Sequence, residues 1–375
     1  PTFTFEYSTT FRDRATSPGA PGVVSFCRLD KDLGTGERTG SPLLECFLCV
    51  ENKSRAIRML SPSLKVLSEV SIDEALLVTG EARSAITVES ACFAPEKSLL
   101  LALLSDHSVA FWSWTPRHCV YAGHIGRGIG MPTAIAFSAS PPLVLIGTAE
   151  GRLRGYDPSN KSMLLNLAAH PGCPIMAVVP LRGYEPSCVV TAAVDRSLLN
   201  WDLEGEKLRT SYDTKGNLIS FVAWHSPTWR VFAATSGAAH EVIVYEVHER
   251  RPLARIVGHA CDVVDIAFVR VSETDRIVSV DERCNIRVWD ASDAGLGIVR
   301  QLLSFSPGSL SEVRARSMSV VAGSRDLIVA SRRLSRFTFS ADLNTGSPVA
   351  VLFNRDFTRF VSVAGRAVST WDAPT

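Results

Sequence analysis

Short apolar runs of strand length, separated by clusters of Gly, Asp, Ser and Asn, fill most of this chain, and no stretch holds a convincing helical spacing. The segment GHACDVVDIAFVRVSETDRIVSVDERCNIRVWD, from Gly258 to Asp290, shows the pattern over a full unit. An aromatic residue recurs near the end of each such unit, at Trp112, Tyr156, Trp201, Tyr245 and Trp289, with intervals of 44, 45, 44 and 44 residues. A fixed period of this length marks a repeat architecture. Within the Trp201 unit the pattern predicts four strands: 174–181, 188–194, 198–201 and 207–211, with a tight turn at Asp195, Arg196 and Ser197. One four-stranded antiparallel sheet cannot bury both of its faces, so the units must stack, and radial stacking closes a ring.

The whole chain therefore reads as a single all-β domain, 1–375, with units at about 23–80, 86–121, 133–169, 175–212, 218–257, 263–304, 315–347 and 348–372. That is a count of eight, with seven as the alternative. The last unit ends at Trp371 and Asp372 without room for a fourth strand. The apolar alternation at residues 3–7 is expected to supply it, which would protect an otherwise open sheet edge.

These residues resemble the WD40 repeat family of β-propellers, most closely from about residue 86 to residue 290. Gly258 and His259, the apolar positions Val263, Ile266 and Phe268, and the closing Ile286–Asp290 follow the family's pattern over a whole repeat. Gly123 and His124 precede another unit, and Ala169 and His170 stand in the same place before the Trp201 unit. The resemblance implies four-stranded blades and, in each, a buried hydrogen-bond chain of His, Ser or Thr, turn Asp and Trp. His124, Thr148, Glu150 and Tyr156 would form a modified version; His170, Asp195 and Trp201 a partial one; His259 and Trp289 belong to a third. That third unit departs from the pattern, with Arg283 at the turn-Asp position. Structural roles for these histidines follow, in place of catalytic ones.

Composition narrows the function classes. The chain has 375 residues, 46% of them apolar and 21% charged, which is compatible with a large packed core. Lys plus Arg number 39 and Asp plus Glu 38, so nothing in the overall charge draws the chain to nucleic acid or to an anionic membrane. No apolar run reaches the roughly 18 residues of a membrane helix, and residues 1–14 carry no signal-peptide core. The first residue is Pro rather than Met, which leaves a trimmed chain and a segment of a longer protein both open. Nine cysteines, mostly inside apolar runs, fit a reducing compartment, cytoplasmic or nuclear. Cys46 and Cys49 would point to opposite faces of a strand, so no metal site is expected, and no cofactor.

Catalytic motifs are lacking: GxSxG, HExxH and the phosphate-binding P-loop do not occur. The first strands, which would line a central channel, are mostly Ala, Val, Ile and Phe, with Asp265 an isolated exception. No catalytic residues and no enzymatic activity are expected. The glycine-rich stretch 123–130 invites a phosphate cradle, but no helix follows it to add a favourable dipole. A Phe-Arg-Arg-Gly motif, expected of phosphoinositide-binding propellers, is missing: 249–252 reads ERRP and 331–334 reads SRRL.

What stands out is the composition of the turns between second and third strands. Lys53, Arg55, His107, Arg152, Arg196, His240, Arg283, Arg332, Arg333 and Arg366 all fall there. Asp106, Glu150 and Asp195, in the same turns, are expected to point inward toward their own blades. The resemblance and these turns together lead to a non-catalytic scaffold within a multi-subunit complex. Its basic face (Arg152, Arg196, His240, Arg283, Arg332, Arg333 and Arg366 above all) would bind other proteins through an acidic or phosphorylated segment, with RNA the alternative and no membrane insertion.

Overall fold

A computed structural model describes residues 3–9, 21–29, 44–51, 54–61, 65–73, 86–94, 99–114, 119–126, 128–181, 187–214, 219–224, 231–236, 240–271, 274–290 and 298–305, and the strands within 317–372. Every one of the described sheets is antiparallel, and they are arranged as a β-propeller. Among the described residues no helix is long and apolar enough to cross a membrane.

Burial along the strands explains how the sequence pattern arises. Second strands lie between neighbouring sheets and are covered on both faces: Cys188–Ala193 and Leu99–Leu104 are apolar and buried almost throughout. Fourth strands lie at the rim, where Met163–Ala168 alternates between exposed and buried positions. Continuous apolar runs thus mark the inside of the stack and alternating ones its edge. The cores lie between successive sheets. Leu101, Phe111, Phe137 and Tyr156 share one. Leu145, Leu165, Val189 and Trp201 share the next. Further cores join Val190 to Tyr245 and Val244 to Trp289.

Six sheets use four strands in chain order, and five of these, from Val88 to Phe305, are consecutive blades of the 44-residue unit. They are named below by their aromatic residues, Trp112, Tyr156, Trp201, Tyr245 and Trp289. First strands touch first strands from blade to blade, and Pro21–Leu29 meets both Val88–Ala94 and Ser317–Val320, so the series returns to its start.

Eight equivalent units do not form, nor do seven identical ones. A further four-stranded sheet, from Ser317 to Phe339, takes its outer strand from the chain's beginning: Phe3–Thr9 pairs antiparallel with Leu334–Phe339, Phe3 opposite Phe339 and Thr9 opposite Leu334. The N-terminal strand therefore closes a sheet, but not the one ending at Trp371. Residues 350–372 form a three-stranded sheet of their own. The hydrophobic pattern alone gives both edges the same claim on residues 3–9.

Two irregularities recur. The first strand of a blade is bulged at its second paired position, at Glu89, Thr133, Met176 and Val264. The fourth strand is bulged opposite the aromatic residue in all five blades. A bulge re-aims a side chain out of the pleat, and the first set lies where the inner strands begin, beside the turns between second and third strands.

Candidate interaction face

One backbone conformation shapes all five of those turns. The residue five positions before the aromatic has positive φ in every blade: His107 at 69°, Gly151 at 78°, Arg196 at 68°, His240 at 50° and Cys284 at 62°. Glycine is the natural occupant of this left-handed region. At Gly151 it is required, because a Cβ there would lie 1.6 Å from the His170 carbonyl oxygen. That contact shows the second feature of the face, the linker before each first strand lying against a turn. The amide of Val194 donates to Pro174, Thr214 Oγ1 to the carbonyl of Arg196, and the amide of Glu282 to Asp262.

In the Trp201 blade the linker histidine and the turn acid complete a network. Trp201 Nε1 donates to Thr191 Oγ1 at 3.1 Å, and Thr191 Oγ1 lies 2.8 Å from His170 Nε2. Ser197 uses its one proton on Asp195, so the hydrogen of the neutral His170 ring sits on Nδ1 and the threonine hydroxyl donates to Nε2. The Nδ1–H of His170 then faces Ser197 Oγ at 2.7 Å and Asp195 Oδ2 at 3.4 Å. Ser197 Oγ donates onward to Asp195 Oδ1 at 2.6 Å. Desolvation lowers the pKa of His170 despite the nearby Asp195. Burial pushes Asp195 up, but the Ser197 and His170 hydrogen bonds outweigh it, leaving a carboxylate below its usual range.

The Trp289 blade has the same network with its acid elsewhere. Trp289 Nε1 donates to Ser279 Oγ at 2.9 Å, and Ser279 lies 2.7 Å from His259 Nε2. His259 Nδ1 meets Asp281 Oδ2 at 3.1 Å. Asp281 opens the turn and also accepts from the amides of Arg283 and Asn285 and from Asn285 Nδ2. Burial raises its pKa, yet these bonds together with His259 hold it down at about 2. The arginine at position 283 therefore does not break the network: the acid comes two residues earlier. A Cβ at Gly258 would lie 3.1 Å from the Trp289 ring and against the Arg287 guanidinium, both of which would have to give way slightly.

Of the expected chain of His124, Thr148, Glu150 and Tyr156, Thr148 and Glu150 bond to each other while His124 and Tyr156 are engaged elsewhere. His124 lies in the outer strand Cys119–Ile125 of the preceding blade, where its Nδ1 pairs with the Tyr121 hydroxyl at 2.8 Å. Thr148 Oγ1 accepts the amide of Arg152, and Glu150 accepts the amide of Met131 and a bond from Thr148. Tyr156 packs in the apolar core shared with the Trp112 blade. In the Tyr245 blade the phenol donates to the Asp213 carbonyl at 3.2 Å, and burial pushes its pKa up to about 12.

The basic residues of the turns, apart from the half-buried His107, divide into three groups. Arg196 and Arg283 are exposed. His240 Nδ1 contacts Asp262 at 2.7 Å, Arg152 Nε donates to Asn166 at 2.8 Å, and Arg55 is ion-paired with Asp73. Lys53, Arg332, Arg333 and Arg366 lie outside the described residues. The acids are held locally, Asp106 by the amide and hydroxyl of Ser108, Glu150 and Asp195 as above. In the glycine-rich stretch the Gly128 carbonyl accepts from Arg154 and the Glu150 carboxylate packs against Gly130, so oxygens as well as amides crowd the place where a phosphate would sit.

Asp265, on the first strand of the Trp289 blade, accepts the amides of Ile266 and Met318 at 2.8 and 2.7 Å, the second belonging to the neighbouring sheet. It keeps some accessible surface but is enclosed by protein atoms, and desolvation drives its pKa up to about 7. Among the described residues no group of three or more His, Cys, Asp or Glu is placed to hold a metal ion. A scan against protein-family models finds no match to this chain, and a search of curated proteins finds none either.

Proposed function

We propose that this chain is a WD40-type propeller acting without catalysis as an interaction platform within a multi-subunit assembly in the cytoplasm or nucleus. It would dock an acidic or phosphorylated segment of a partner on the face carrying the turns between second and third strands. Two His–hydroxyl–Trp–Asp networks support the family reading, and the buried cysteines Cys49, Cys188 and Cys284 fit a reducing compartment.

One observation carries the binding reading. Arg196 and Arg283 are exposed at the turns, while the acids beside them, Asp195 and Asp281, are bound to a histidine in the networks beneath. Guanidinium groups suit two-point capture of carboxylate or phosphate. His240, Arg152 and Arg55 are half-buried where Arg196 and Arg283 are exposed, and contribute less than the sequence alone suggests.

The test is affinity purification with the wild-type chain and with Arg196→Glu/Arg283→Glu, at low and moderate salt, partners being identified by mass spectrometry. Folded double variant should recover its partners poorly, because reversing the rim's charge slows association. Equal recovery by the two proteins would overturn the reading, and recovery lost on nuclease treatment would favour RNA in its place.

A further inference from the structure

We draw no further inference here: the strongest candidate, the three-stranded antiparallel sheet of Ala350–Phe353, Arg359–Ala364 and Ala367–Asp372, which has one strand fewer than the other described sheets, carries nothing because nothing among the described residues shows what pairs with its edge or covers its faces.

Discussion

The Trp201 and Trp112 blades place the same aromatic side chain at the same point of the same four-stranded sheet, and hold it differently. In the Trp201 blade the indole N–H reaches a threonine ten residues earlier, and through it a histidine and an aspartate. In the Trp112 blade the residue ten positions earlier is Ala102, and Trp112 Nε1 has no hydrogen-bond partner although the side chain is fully buried. Apolar packing alone secures that ring: Leu48, Met59 and Leu100 share its core, and Tyr121 meets it edge-on at 6.2 Å. The repeat thus imposes the shape of the blade everywhere and the polar network only in some blades. Where the network is present it also pins linker to turn, and so sets the face on which Arg196 and Arg283 stand.

Breaking the network should show the largest difference. Thr191→Val leaves both Trp201 Nε1 and His170 Nε2 without a partner, and should cost about 3 kcal/mol in chemical denaturation, given the usual penalty for buried unpaired groups. A loss under about 0.5 kcal/mol, the range of neutral surface changes, would mean that packing holds Trp201 as it holds Trp112.

Acid should separate network-bearing blades from the rest. Asp281 has a folded pKa near 2, below its unfolded value, so its contribution is present above about pH 4 and is lost as the pH falls toward 2. That contribution is about 2 kcal/mol. Asp281→Asn should be less stable than wild type at pH 6 and nearly equal to it at pH 2, as measured by denaturant midpoints. Asp265 in the same blade has the opposite sign. Its folded pKa near 7 exceeds the unfolded one, so the stability it lends as a neutral acid declines as the pH rises from about 4 through 7. Wild type should therefore lose stability relative to Asp265→Asn between pH 5 and pH 8.

A smaller contrast comes from the tryptophans themselves. Trp201→Phe orphans a hydroxyl proton-acceptor site and Trp112→Phe orphans nothing, so the first should cost about 1 kcal/mol more than the second. Smallest of all is the expected effect of Arg196→Glu on the melt, within about 0.5 kcal/mol for an exposed side chain.

The features visible from sequence are those that depend on spacing. Aromatic intervals give the blades, and the histidines at positions 170 and 259 are where the repeat demands. The missing parts depend on which way a side chain faces. Thr191 sits in the run CVVTAA, where a β-branched residue reads as one more packing position. Asp281 precedes the expected turn position by two residues, but the turn folds back on itself and brings either position to the histidine, a convergence that linear spacing hides. His124 follows a glycine as the motif requires, yet the outer strand runs on through Ile125 and claims it, because nothing local ends that strand earlier. The basic turns were legible as composition; that Asp262, Asn166 and Asp73 engage His240, Arg152 and Arg55 was not, since those partners come from other strands or linkers.

The pairing of Phe3–Thr9 with Leu334–Phe339 has a consequence in time. More than three hundred residues separate the two strands. At a synthesis rate of about 5–20 residues per second, the first strand waits some tens of seconds for its partner to be made. Throughout that interval the nascent chain carries an open strand of alternating aromatic and polar residues, while blade after blade folds behind it from local contacts. Assembly of this propeller is therefore sequential in its middle and simultaneous at its join, and the join is the step at which a ribosome-bound or newly released chain is exposed to pairing with a neighbour.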